Sequence, residues 1–96
     1  HRGRLGPSGV QGVTHSAVFG DVVATLRRAR GWNQGRLAEA IGVSQATLSR
    51  IEGGLQSPKL ETQALIAHVF ELDLLYLFSE VQERIGALRG SIIEED

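Results

Sequence analysis

The side chains of this 96-residue chain that can do chemistry gather in one polar run, Ser44-Gln45-Ala46-Thr47-Leu48-Ser49-Arg50. A glutamine amide makes paired hydrogen bonds to the edge of adenine, an arginine guanidinium does the same to guanine, and an alanine or threonine methyl packs on the methyl of thymine. No grouping of comparable strength points to catalysis or metal binding. Cysteine is absent, which removes thiolate nucleophiles, disulfides and cysteine zinc sites together. His1, His15 and His68 are scattered and lack carboxylates at ligand spacing, so no metal and no cofactor is expected. Ser44 and Ser49 have no histidine base placed to activate them, and an enzyme is not expected.

The elements that must position this run are short and sharply punctuated. Phe19, Val22, Val23 and Leu26 form the apolar face of a first helix that ends near Gly31. Asn33 can cap a second helix through its side-chain oxygen, with Leu37, Ala38 and Ile41 turned inward and Gly42 stopping it. Ser44 can cap a third, carrying Leu48 and Ile51 inward and closed by Gly53-Gly54. Ser57-Pro58 reads as the start of a fourth helix with Leu65, Ile66, Val69 and Phe70 as its apolar face. Asp73 reads as the cap of a fifth, containing Leu74, Leu77 and Phe78, and Ser79 with Gln82 as a capping box that restarts or continues a helix toward Arg89.

Two short helices joined by a tight turn at Gly42-Val43, the second with a polar outer face, match the geometry by which a helix enters the major groove of DNA. The combination Asn33-Gln34, Leu37-Ala38, Gly42-Val43-Ser44, Leu48-Ser49, Ile51-Glu52 and Gly54 resembles the phage-repressor and Cro-like, or XRE, helix-turn-helix family from about Phe19 to Phe78. The resemblance implies an all-α, lambda-repressor-like five-helix DNA-binding domain with a C-terminal helical extension. It places Gln45, Ala46 and Arg50 at positions facing base edges, with Ser44, Thr47 and Ser49 beside them. It also implies that Arg27 and Glu52 pair inside the domain and that Trp32 packs as a core anchor. Gln34, at the start of the second helix, and Gln56 and Lys59, before the fourth, are expected at the phosphate backbone. Three residues depart from the family pattern: Gly35 in place of a charged helix former, Gln63 in place of an apolar residue, and Glu71 where glycine is frequent.

Charge is distributed unevenly. The formal net charge is -1, yet residues 1–54 carry seven arginines against Asp21, Glu39 and Glu52, while residues 55–96 carry Lys59, Arg84 and Arg89 against eight carboxylates. A positive half facing an anionic partner fits this asymmetry. Residues 1–17, punctuated by Gly3, Gly6, Pro7, Gly9 and Gly12, read as a flexible arm from which Arg2 and Arg4 can reach a minor groove. No apolar run approaches a membrane span or a signal peptide, and a cytoplasmic, nucleoid-associated place is expected.

Leu74, Phe78, Val81, Ile85, Leu88 and Ile92 are spaced by alternating fours and threes, a heptad-like seam. It can fold back on its own chain or pair with a second copy, and the sequence favours pairing. The domain division expected is therefore an arm over 1–17, a helix-turn-helix domain over 18–78 and a helical extension over 79–96 that dimerises. The function expected is a sequence-specific transcriptional regulator, a homodimeric repressor placing residues 44–52 of each copy in successive major grooves of a palindromic operator, about 34–36 Å apart. An antitoxin or a regulatory protein-interaction adaptor, using the seam for another protein, is the alternative.

Overall fold

The computed structural model describes residues 14–94, which form five helices and no strand: α1 (His15–Ala29), α2 (Gln34–Ile41), α3 (Gln45–Glu52), α4 (Leu60–Val69) and α5 (Leu74–Glu94). Arg2 and Arg4 lie outside the described residues. The expected all-α, five-helix architecture is the one observed.

Local chemistry accounts for most helix ends. The Thr14 hydroxyl accepts from the Ala17 amide at 3.0 Å, the Asn33 side-chain oxygen from Arg36 at 2.8 Å, and the Ser44 hydroxyl from Thr47 at 3.0 Å. Each satisfies an amide that a helix start leaves without a partner. At the other end of α2, Gly42 takes φ +78°, a left-handed turn open to glycine at little steric cost, and turns the chain into α3.

One core joins all five helices. Val18, Phe19, Val22 and Val23 of α1 meet Leu37, Ala38 and Ile41 of α2, Leu48 and Ile51 of α3, Ile66 and Ala67 of α4, and Leu77, Val81 and Ile85 of α5. Helix α1 packs against both α3 and α5. Burying each such Leu, Ile, Val or Phe side chain contributes about 1.5–3 kcal/mol, so the eight-residue helices α2 and α3, too short to persist alone, are held by their inner faces.

Several expectations are corrected. Helix α1 starts at His15, inside the stretch expected as an arm, because Thr14 caps it five residues upstream of Phe19. Helix α4 starts at Leu60 rather than after Ser57: the Ser57 hydroxyl bonds the Ser16 hydroxyl instead, and Lys59 holds the cap position without a side-chain bond. The buried face of α4 is Ile66, Ala67 and Phe70, whereas Leu65 is exposed. Asp73 does cap α5, its carboxylate accepting from the Leu75 amide at 2.8 Å, but the helix then runs through Ser79 without a break. Residues 79–94 therefore continue α5, and the seam divides. Val81 and Ile85 are buried in the core of their own chain, Phe78 and Leu88 are exposed, and Ile92 lies outside the side chains described. Gly86 and Gly90 border open space, so neither mediates a close helix crossing among the described residues.

Candidate nucleic-acid interface

Helices α2 and α3 form the expected helix-turn-helix. Leu48 and Ile51 turn into the core, which leaves Gln45, Ala46, Ser49 and Arg50 exposed on the outer face of α3 and Thr47 half-buried at its edge. Gln45 opens the helix beside Gly35. A Cβ on Gly35 would lie 3.6 Å from the Gln45 Oε1, an ordinary contact distance that puts the two residues side by side.

Arg50 is held by two side chains. Its Nε donates to Gln56 Oε1 at 2.9 Å, and its Nη2 donates to Thr47 Oγ1 at 3.3 Å. Thr47 Oγ1 also accepts from the Ser44 hydroxyl at 2.9 Å. Residues 44, 47 and 50 recur every three positions and so share one helix face; Gln56 reaches the same face because the chain reverses at Gly53-Gly54. Gln56, expected at the phosphate backbone, bonds Arg50 instead, and the only local sign of this is a polar side chain just past a glycine reversal.

Behind this face sits an ion pair. Arg27 Nε donates to Glu52 Oε2 at 2.8 Å and Nη2 to Glu52 Oε1 at 3.0 Å, with side-chain exposures of 10% and 5%. The third nitrogen, Nη1, donates to the Trp32 carbonyl at 2.8 Å. Gln34 Nε2 donates to Glu52 Oε1 at 2.9 Å. The bond from Arg27 to Glu52 holds the guanidinium above the ordinary arginine value, with burial opposing it and the Glu52 charge adding to it. Gln34 is thus engaged with the end of α3, while Lys59 is exposed and shares no hydrogen bond with the other candidate residues.

Trp32 is half-buried, stacked on Phe70 at 5.5 Å between ring centres, with the Arg36 guanidinium 4.8 Å over its face. Arg30 donates through Nη2 to the Phe70 carbonyl at 3.1 Å and ties the end of α1 to the end of α4. Gln63 donates to the Pro58 carbonyl at 3.1 Å, which satisfies the amide that replaces an apolar side chain.

A five-helix bundle with this turn and this outward polar face defines a helix-turn-helix domain. The chain belongs to the helix-turn-helix family, whose profile matches residues 23–77. The motif is of the XRE, phage-repressor-like type. The cryptic phage CTXphi transcriptional repressor RstR of Vibrio cholerae is 35% identical over 68 residues, 71% of this chain and 61% of that protein. The HTH-type transcriptional regulator SutR of Escherichia coli K12 is 52% identical over 42 residues, 44% of this chain and 24% of that protein. The crystal structure of the clp gene regulator ClgR from Corynebacterium glutamicum superposes with a TM-score of 0.75 over 84% of this chain and 85% of that one, at 23% identity, a likeness of fold. The chain spans between 14% and 61% of the length of the curated relatives it matches. No described helix is long and apolar enough to cross a membrane.

Proposed function

We propose that this chain is a sequence-specific DNA-binding transcriptional regulator that acts as a homodimeric repressor, with α3 entering the major groove. The observation that carries the reading is the division of α3 into a buried pair, Leu48 and Ile51, and an exposed set, Gln45, Ala46, Ser49 and Arg50. A helix with this division presents hydrogen-bonding side chains to base edges while its apolar side anchors it to a rigid body. Thr47 and Ser44 complete the reading face. Gln34 and Lys59 flank it toward the phosphate backbone, where contacts supply affinity and its dependence on salt. Repression is favoured by the likeness to RstR, a phage repressor by name.

Pairing of two copies draws support from a groove of about 320 Å³ lined by Leu60, Gln63, Leu74, Leu75 and Phe78. Leu60, Leu75 and Phe78 are exposed, and a contiguous apolar cluster of this kind is characteristic of an interaction face. A second copy presenting the same cluster covers it isologously. Dimerisation by this route uses the part of the seam that the chain's own core leaves free.

Selection from a randomised duplex library across a salt series, repeated with Gln45→Ala and Arg50→Ala combined, tests the reading. Enrichment of a two-fold repeated motif, lost in the double variant while weak nonspecific binding persists, is expected. Binding that shows no sequence preference at low salt overturns it. Phe78→Glu with Leu75→Glu is expected to give a monomer in sedimentation equilibrium that protects a single half-site.

A further inference from the structure

We infer that Gln56 is a positioning residue for Arg50, and that the two together commit the protein to guanine at one place in each half-site. The inference rests on the DNA-reading role proposed above and concerns how that same site chooses its base.

A guanidinium offers five N–H donors in a rigid plane. In Arg50 the Nε–H is given to Gln56 Oε1 at 2.9 Å, and one Nη2 hydrogen is directed at Thr47 Oγ1 at 3.3 Å. Nε and Nη2 are the two nitrogens that bound one long edge of the plane, and we take both commitments along that edge. The hydrogens that remain are the two on Nη1 and the second on Nη2, and one from each nitrogen lies side by side at the far end of the group. That pair matches two adjacent acceptors, and in the major groove guanine presents O6 and N7 in that arrangement. A free arginine can swing between bases and phosphates. One gripped along its Nε edge arrives with its rotamer chosen and its end-on donors pointing outward, so less ordering is required when the base is met.

Gln56 is half-buried, so its own freedom is restricted, and Thr47 receives the Ser44 hydroxyl at 2.9 Å, which fixes its oxygen as an acceptor toward Arg50. Thr47 and Gln56 therefore meet on one guanidinium, with Ser44 backing Thr47.

The test compares the wild-type chain with Gln56→Ala, Gln56→Glu, Arg50→Ala and the Arg50→Ala/Gln56→Ala pair, reading base preference by library selection and affinity by titration over a salt series. Arg50→Ala locates the base pair that Arg50 reads. At that base pair, Gln56→Ala is expected to lower the preference for guanine by about fivefold to tenfold while leaving the other positions and the salt slope unchanged. On the Arg50→Ala background the same change is expected to do nothing. Gln56→Glu keeps the accepting oxygen and is expected to retain the guanine preference while weakening binding to all sequences through its charge. If Gln56→Ala instead weakens every sequence equally, reduces the salt slope and does so without Arg50, Gln56 is a phosphate contact and the inference fails while the DNA-reading role stands. A wild-type chain without any sequence preference overturns both.

Discussion

The backbone of Gly20 in α1 lies directly against the carbonyl of Ile51 at the end of α3. A Cβ placed on Gly20 would sit 2.2 Å from the Ile51 oxygen and 2.7 Å from that of Glu52. Both neighbours are backbone, so no side chain can swing aside. In an open helix Gly→Ala gains roughly 0.5–1 kcal/mol, but here the added methyl forces α1 and α3 apart at an overpacking cost of about 1–3 kcal/mol. Gly20→Ala is expected to lower the thermal midpoint. An unchanged or raised midpoint would show that the two helices do not approach this closely.

The Arg27–Glu52 pair is shielded from solvent, so each partner depends on the other. Removing one charge, by Arg27→Met or Glu52→Leu, is expected to cost about 3–5 kcal/mol, because an uncompensated charge is left behind. Replacing both together is expected to cost less than either single change, since apolar side chains can fill the same space. Urea denaturation of the three variants measures this, and a double variant as damaged as the sum of the singles contradicts the assignment.

Glu71 is the one described non-glycine residue with positive φ, at +59°. It closes α4 with its amide donating to His68 at 2.9 Å, while the Leu72 amide donates to Ala67 at 2.8 Å. A side chain in the left-handed region is disfavoured by about 1–2 kcal/mol, part of which glycine returns as extra freedom in the unfolded chain. Glu71→Gly is therefore expected to stabilise by about 0.5–1 kcal/mol. The urea midpoint should rise with no change in slope, and a fall would mean that the Glu71 side chain contributes a contact of its own.

Tyr76, the only tyrosine, has Glu80 one helical turn further along α5. The Glu80 carboxylate raises the phenol above its ordinary value of 10.0, helped by hydrogen bonding to the same residue. A folded-state value above the unfolded one means stability that is complete below the unfolded value and declines as pH rises through the folded value. Phenolate absorbance should accordingly titrate at higher pH in the folded chain than in urea. Glu80→Gln should bring the folded midpoint down, and an identical midpoint in that variant would remove Glu80 as the cause.

Much of this architecture is legible in the sequence because it depends on neighbours in the chain. Asn33, Ser44 and Asp73 cap helices within three residues of themselves, and the periodic placing of Leu37, Ala38, Ile41, Leu48 and Ile51 determines which faces are buried. What could not be read depends on partners far along the chain. Ser57 has the composition of a helix cap, but its hydroxyl is taken by Ser16 of α1. Glu71 departs from the usual glycine without altering the left-handed exit, since the surrounding contacts impose the backbone. The heptad spacing through Val81 and Ile85 favours a foreign partner, yet the position of α1 puts both in the core of their own chain. At the candidate site, the exposure of Gln45 and Arg50 follows from the inward direction of Leu48 and Ile51. The grip of Gln56 on Arg50, across a chain reversal, does not.

Helix α1 lies between α3 and α5. In a dimer joined through the α4–α5 groove, this makes α1 a calliper: its thickness where Gly20 meets Ile51 helps to set how far the reading helix stands from the pairing surface. Under the dimer proposed above, widening it would displace the two α3 helices equally about the two-fold axis, so a single methyl far from the proposed reading face would change the spacing between them.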